Sequence, residues 1–366
     1  MVSIKIFASD EGFGHIVRQK AIIDELTKLS DVDIVFQTWK HFGAAKKFVG
    51  AKVRYNQQFN NIMTVKRKDG SLDIEKTYEW FMKKYPENSS KMIKEELGKM
   101  DYDFVISDFV PEAFQISKST GIPNCGVGHF TWDWFFSKLY PWDKTLANTL
   151  NTYVKNMDEI YFPPLTPNEN LEKFEDRAKL VPFVISKDYL GKKTKSRRKF
   201  TVSVSDSGTG ALYHVIQKNL PVFKRMTEFH FILPPGFKAK AKNITVVSKT
   251  EDMPKLIPKS DLVVSRAGFN TITMCIVARV PLLLVEETGS PEVEENLRKV
   301  YDLGLCGEMS PIDYARNFDA VLRRFLSEDY DSVLRAMKNY RFKTNGAEVI
   351  AKSILKRIKN RDKTES

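Results

Sequence analysis

Three short stretches place proton-transfer and ligand-binding groups beside glycine-containing turns. In SDEGFGHIVRQKAIIDEL, residues 9–26, His15 stands in the first turn of a helix-like pattern that follows the apolar run VSIKIFA. A helix N-terminus disfavours an imidazolium, so His15 reads as a neutral histidine able to take a proton. Gly12 and Gly14 let the backbone turn sharply and approach a ligand, and Arg18 follows one turn later. The competing reading is that His15 only fills the turn. Two carboxylates are further candidate bases. Asp108 ends the apolar stretch YDFVISDF, and Asp133 lies within HFTWDWFFSKLYPW, residues 129–142. Asp108 reads equally as a cap for the next helix, with Pro111 in its first turn. Trp132 and Trp134 are either an exposed stacking platform or aromatics packed in a core.

The second stretch is SDSGTGA, residues 205–211. A glycine turn that follows a strand and opens a helix offers N–H groups and a positive dipole end, which suit a diphosphate. The competing reading is a tight turn that binds nothing. The third is the block from Asp261 to Leu305, where Ser265 and Gly268 lie in a strand-to-helix turn. Glu286, Glu287 and Glu292 flank the end of the next strand. They are either acceptors for sugar hydroxyls or a solvated acidic loop.

These residues need a scaffold that brings strand ends together. Near-continuous apolar strands separated by helices recur along the chain, which implies parallel sheets covered on both faces. The chain has 366 residues, more than one core usually serves. The expected fold class is α/β, with two doubly wound Rossmann-like domains facing across a cleft. The expected boundaries are an N-terminal domain over 1–186 and a basic linker over 187–199, around GKKTKSRRK. A C-terminal domain over 200–342 follows, then a basic helix over 343–366 that packs back toward the N-terminal domain. Within the first domain a helical zone from Asp73 to Met100 is expected to break near Pro86. Ligands of such folds bind outside the C-terminal ends of the strands.

Composition excludes several classes. Apolar residues make up 42% and charged residues 28%, as in globular proteins. No window of ~18 apolar residues suggests a membrane span, and the N-terminus lacks the pattern of a signal peptide. Cys125, Cys275 and Cys306 have no metal-ligand spacing, so reduced core thiols and a cytoplasmic location are expected. The net charge of +12 falls entirely in residues 191–366, since the first 190 residues balance. That excess either meets an anionic ligand or membrane surface or is a solvated lysine-rich face. Nucleic acid is not an expected partner, because the aromatic run and the charge excess lie in different halves.

The third block, SDLVVSRAGFNTI…VPLLLVEE…EENLRKVYDLGL, resembles the donor-binding block of GT-B glycosyltransferases. It is most similar to the families of the lipid-linked peptidoglycan N-acetylglucosaminyltransferase and the UDP-glucuronosyltransferases. VSVSDSGTGA resembles their diphosphate loop. GFGHIVR resembles the G-x-G-H-x-x-R element of GT-B proteins and of a nucleotide-sugar hydrolase of pseudaminic acid synthesis. FTWDWFF is similar to a segment of glycosyltransferase-like domains that precede plant arabinokinases. The resemblance implies that His15 is the histidine at the N-domain cleft, with Gly12, Gly14, Arg18, Trp132 and Trp134 on the acceptor side. It implies that Ser207, Gly208, Thr209 and Gly210 lie near the donor phosphates, and that Ser265, Arg266, Gly268 and Asn270 line the nucleotide pocket. Glu292 and Asn296 match the acidic residue and asparagine of the D-Q-x-x-N pattern. Two positions depart from it. Met274 stands where a glutamate often binds the ribose hydroxyls, and Val293 stands for the glutamine, so UDP is not assured as the nucleotide.

The implied function is an inverting, metal-independent glycosyltransferase with His15 as general base. Its donor is a nucleotide sugar, UDP-linked by resemblance, and no cofactor is expected. The acceptor is a sugar, a lipid or a small molecule, and contact with an anionic inner membrane surface is an open expectation. The alternatives are a nucleotide-sugar hydrolase on the same fold and a non-catalytic sugar-nucleotide-binding protein.

Overall fold

The computed structural model describes residues 1–58, 62, 64–68, 70–189, 199–205, 213–248 and 253–365. The chain forms two compact units. Unit 1 comprises Met1–Val65, Asp73–Ser186 and Phe342–Ser366. Unit 2 comprises Lys66–Leu72 and Lys187–Arg341.

Unit 1 contains β1 (Val2–Ala8), α1 (Phe13–Leu29), β2 (Val32–Thr38), α2 (Phe42–Val49), β3 (Arg54–Gln57), α3 (Ile74–Leu97), β4 (Phe104–Asp108), α4 (Glu112–Thr120) and β5 (Asn124–Val127). It continues with α5 (Trp132–Leu139), α6 (Thr145–Val154), β6 (Glu159–Phe162), α7 (Asn168–Lys173) and β7 (Ala178–Leu180). The strand order is β3-β2-β1-β4-β5-β6-β7, and every pairing is parallel. Chain order reverses between β1 and β4, so their C-terminal ends form the crevice where doubly wound sheets bind ligands. The physical cause is visible in the strands. All five residues of β4 are buried, which a strand tolerates only when helices cover both faces.

Unit 2 repeats the plan. It contains β8 (Phe200–Ser205), α8 (Tyr213–Arg225), β9 (Phe229–Leu233), β10 (Ile244–Val246), α9 (Met253–Leu256), β11 (Leu262–Arg266), α10 (Phe269–Ala278) and β12 (Leu282–Val285). Next come α11 (Pro291–Asp302), β13 (Cys306–Met309), α12 (Pro311–Arg316), α13 (Phe318–Glu328) and α14 (Tyr330–Asn339). The order β10-β9-β8-β11-β12-β13 is again parallel, with the reversal between β8 and β11.

The last helix, α15 (Gly346–Glu365), belongs to unit 1. Ile350, Ala351, Ile354, Leu355 and Ile358 share one core with Ile16, Ile22, Ile23 and Leu26 of α1. Ionic contacts reinforce this seat, with Arg357 reaching Glu159 at 3.1 Å and Asp158 at 3.3 Å. Entry into α15 is tight. A Cβ on Gly346 would meet the Pro182 carbonyl oxygen at 2.1 Å. Gly346→Ala is therefore expected to destabilise unit 1 by about 2 kcal/mol or more. All five tryptophans lie in unit 1, so a urea titration followed by tryptophan fluorescence reads that unit alone. An unchanged midpoint would show that the Pro182–Phe183 backbone yields freely.

Two features depart from the sequence expectation. Helix α3 runs unbroken through Pro86. Proline removes the bond to the Met82 carbonyl, but Met82 and Pro86 both sit on the exposed face, where water can serve that carbonyl. Phe81, Tyr85, Ser89 and Met92 meanwhile bury the opposite stripe. The stretch expected to be a linker begins as a packed 3-10 turn at Lys187–Tyr189, with Tyr189 buried; residues 190–198 lie outside the described residues. Much of the aromatic run forms α5, with Trp132 and Trp134 buried, as the packed alternative expects. The three cysteines are free and buried, and burial pushes the Cys306 thiol up to about 12. Among the described residues no helix is long and apolar enough to cross a membrane.

Candidate functional site

The crevice of unit 1 is built around Asp108, the last residue of β4 and fully buried. Backbone pairing levels the two strand ends, the Ser9 N–H donating to the Asp108 carbonyl at 3.0 Å. Helix α1 leaves from that point and returns three side chains to the carboxylate. His15 Nδ1 lies 2.8 Å from Oδ1, and Arg18 Nη2 lies 2.5 Å from the same oxygen. Arg18 Nε donates to Oδ2 at 2.9 Å and Gln19 Nε2 to Oδ2 at 2.8 Å. Spacings of three and four residues bring these groups onto one side of a helix. Burial by itself would raise the Asp108 carboxyl. The Arg18 guanidinium and His15 outweigh it and hold the group well below the usual carboxylate range. Asp108 is thus a fixed anion facing Nδ1 of His15. That fixes the tautomer with hydrogen on Nδ1 and leaves Nε2 as the acceptor. The His15 side chain keeps 13% of its surface exposed, so its tip is reachable.

This arrangement revises the reading of Asp108. It does not cap the following helix, whose N-cap is Pro111 without a side-chain bond. A buried carboxylate already holding an arginine and a glutamine is a positioning group rather than a base in contact with substrate. The glycines are revised as well. Gly12 is extended, with φ −175°, so no left-handed turn requires it. A Cβ there would meet nothing within 4 Å, so its absence leaves open space at the start of α1. The two neighbouring carboxylates of the turn hold other loops. Asp10 gathers the end of β2, and Glu11 binds the N–H and hydroxyl of Thr64.

Trp132 and Trp134 are buried, at 4% and 7% exposure, and form no open platform. Their helix packs through Phe130, Phe136 and Tyr140, and a large aromatic stripe is most stable out of water. Asp133 is also buried and forms an ion pair with Lys173, which takes it out of contact with a reacting hydroxyl. The run nonetheless supports the site through a residue that sequence reading passed over, Phe109. Its ring lies 5.3 Å from the His15 ring, edge to face, and 4.3 Å from Phe130. Phe109 is left-handed, with φ 60°, a strained state for an aromatic residue. Trp132 Nε1 donates to its carbonyl at 2.9 Å and helps hold it there. Gly128 makes room for the ring, since a Cβ there would come within 2.5 Å of it.

In unit 2 the corresponding crevice lies at the ends of β8 and β11, where Ser205 and Ser265 are partners in register. Ser207, Gly208, Thr209 and Gly210 fall outside the described residues. Ser265 is fully buried and donates from Oγ to the Arg266 carbonyl at 2.9 Å. Arg266 is buried and pairs with Glu287 at 2.9 Å. Asn296, 1% exposed, donates to the Ala267 carbonyl at 3.1 Å, so α11 braces the turn that opens α10. These three residues build the turn and spend their polar atoms within it. Gly268 is the N-cap of α10 and brings no side-chain bond to the helix start. Asn270, on that helix, and Glu292, in the first turn of α11, are only partly buried. Met274 and Val293 are buried apolar side chains with no hydrogen bond to offer a ribose.

Among solved structures, the glycosyltransferase of kitacinnamycin superposes with a TM-score of 0.69 at 14% identity, covering 97% of this chain and 98% of that one. A UDP-N-acetylglucosamine 2-epimerase superposes at 0.63 and 12%, covering 99% and 98%. The shared fold is therefore GT-B and by itself leaves the reaction open. Residues 195–354 match the model of the glycosyltransferase family 28 C-terminal domain. This chain is a GT-B glycosyltransferase. The transferase is also 23% identical over 325 residues to the UDP-N-acetylglucosamine–N-acetylmuramyl-(pentapeptide) pyrophosphoryl-undecaprenol N-acetylglucosamine transferase of Thermosipho africanus, covering 83% of this chain and 86% of that relative. In the transferase, the family match takes in β8, α8 and the β11–α10 turn.

Proposed function

We propose that this glycosyltransferase moves a sugar from a nucleoside diphosphate, UDP in the first instance, to an acceptor hydroxyl. His15 is the general base, and transfer inverts the anomeric centre without a metal. The observation that carries this reading is the His15–Asp108 contact at the unit 1 switch point. The acceptor hydroxyl gives its proton to His15 Nε2, and its oxygen forms the new bond to the anomeric carbon. The bond from that carbon to the phosphate oxygen breaks, and its electron pair leaves with the nucleoside diphosphate. Attack from the side opposite the leaving group inverts the centre. Asp108 stabilises the imidazolium that forms, while Arg18 and Gln19 keep the carboxylate in place. The leaving diphosphate is received by N–H groups at the start of α10. UDP is the first choice because the Thermosipho relative is named for a UDP-linked donor.

Met274 makes the nucleotide the point to test. Titration calorimetry with UDP, TDP, GDP and ADP is expected to give heat with one of them. A response to UDP would mean that another group replaces the missing ribose acceptor. Silence across the set would favour a protein that no longer binds a donor. Burial of Trp132 and Trp134 also keeps a hydrolase in view, since a base that activates water needs no aromatic platform. Release of free sugar without any acceptor product would select it.

A further inference from the structure

With Trp132 and Trp134 buried, Trp39 is, among the described residues, an aromatic exposed on the working edge of unit 1, at 44%. It lies in the β2–α2 turn, one strand away from His15. Register carries β1 and β2 to a common end, Phe7 pairing with Gln37. Beyond it, Asp10 binds the neighbouring turn. Its Oδ1 accepts from Thr38 Oγ1 at 2.9 Å, from the Trp39 N–H at 2.9 Å and from the Lys40 N–H at 3.0 Å. Asp10 is itself 2% exposed, so this clamp is shielded from water. The same turn ends in His41, whose ring lies edge to face with Phe13 of α1 at 6.4 Å. Burial keeps the His41 imidazole toward its neutral form, against a smaller opposing pull from Asp10. A Cβ on Gly12, in the turn between Asp10 and His15, would meet nothing within 4 Å.

A single exposed tryptophan is common on protein surfaces and means little alone. Here its backbone is tied by a buried carboxylate to the turn that carries the base, while its large apolar face stays in water. We propose that Trp39 determines acceptor specificity, its indole stacking on the C–H face of a ring-bearing glycoside whose hydroxyl faces His15. This rests on the transfer reading above. A flat, rigid indole covers a pyranose face at little entropic cost, and Asp10 acts as its positioning residue.

The test does not require the donor. Octyl β-glycosides of glucose, galactose and N-acetylglucosamine, kept below micelle concentration, are titrated into the full chain by calorimetry, with octanol as the ring-free control. The chain is expected to bind a glycoside in preference to octanol. Trp39→Ala should weaken that binding about tenfold or more, while Trp39→Phe stays within about threefold. The urea midpoints of both variants should match the wild type, which separates recognition from folding. Trp142→Ala serves as control, since Trp142 is exposed at 72% but packs by Tyr140. Equal binding by wild type and Trp39→Ala would overturn the proposal, as would no preference for any glycoside over octanol. Trp39-dependent binding in a chain that consumes no nucleotide sugar would leave the recognition role standing and overturn transfer instead.

Discussion

His15→Ala is expected to lower kcat by about 10²-fold or more while donor affinity stays within about twofold of wild type. The argument is geometric. Asp108 fixes one ring nitrogen, so the other is the proton acceptor, and the imidazolium that forms sits 2.8 Å from a buried carboxylate. Alanine removes the acceptor and leaves the Arg18–Asp108 pair intact, so the fold should hold. Donor affinity is read separately by calorimetry with whichever of UDP, TDP, GDP and ADP gives heat. A fall in kcat with unchanged nucleotide binding assigns the loss to proton transfer. Turnover equal to wild type would remove His15 from the mechanism, and equal losses in donor binding and kcat would assign it to binding.

Asp108→Asn should cost more, because it acts on both stability and chemistry. The Arg18 side chain is 2% exposed and its guanidinium is neutralised by Asp108. An amide of the same shape leaves that cation unbalanced, at a cost of about 3–5 kcal/mol. The pH dependence has a definite sign. The carboxyl is held below its unfolded value of ~3.9. Its contribution to stability is therefore complete above that value and is lost as pH falls below about 4 toward the folded value. The urea midpoints of wild type and Asp108→Asn should differ widely at pH 7 and converge toward pH 3, read by tryptophan fluorescence from unit 1. A gap that stays constant with pH would show that the loss is packing and not charge. In the folded variant, kcat should also fall by about 10²-fold or more, since the amide no longer stabilises an imidazolium. Unchanged turnover would leave His15 working without its partner.

Particular residues show how far the sequence could be read. The placement of His15 at a helix start was legible because a strand, a glycine and a helix start are adjacent in the chain. Asp108 was found as a strand-end carboxylate, but its role was not. It is 93 residues from His15, and only the β1–β4 pairing makes them neighbours. Phe109 left no local signal, since a left-handed aromatic is imposed by its surroundings. Trp132 and Trp134 stayed open between an exposed platform and a packed core for the same reason. An aromatic run at helical spacing looks alike whether a helix turns it to water or, as in α5, buries it against Phe81 and Phe130. Pro86 misled because its cost depends on whether the orphaned carbonyl meets solvent, and that is a property of which face packs.

By itself the sequence determined the class of this transferase. Apolar strands alternating with helices dictate parallel sheets, because that pattern follows from backbone geometry over a few residues. The tertiary structure decided which polar groups are left for chemistry. Burial assigned Asp108 and Arg18 to each other, put Asp133 with Lys173, committed Ser265, Arg266 and Asn296 to bracing a turn, and left His15 partly and Trp39 largely open to solvent. A side chain's chemistry depends on its partners and its access to water, and both are set by contacts between residues far apart in the chain.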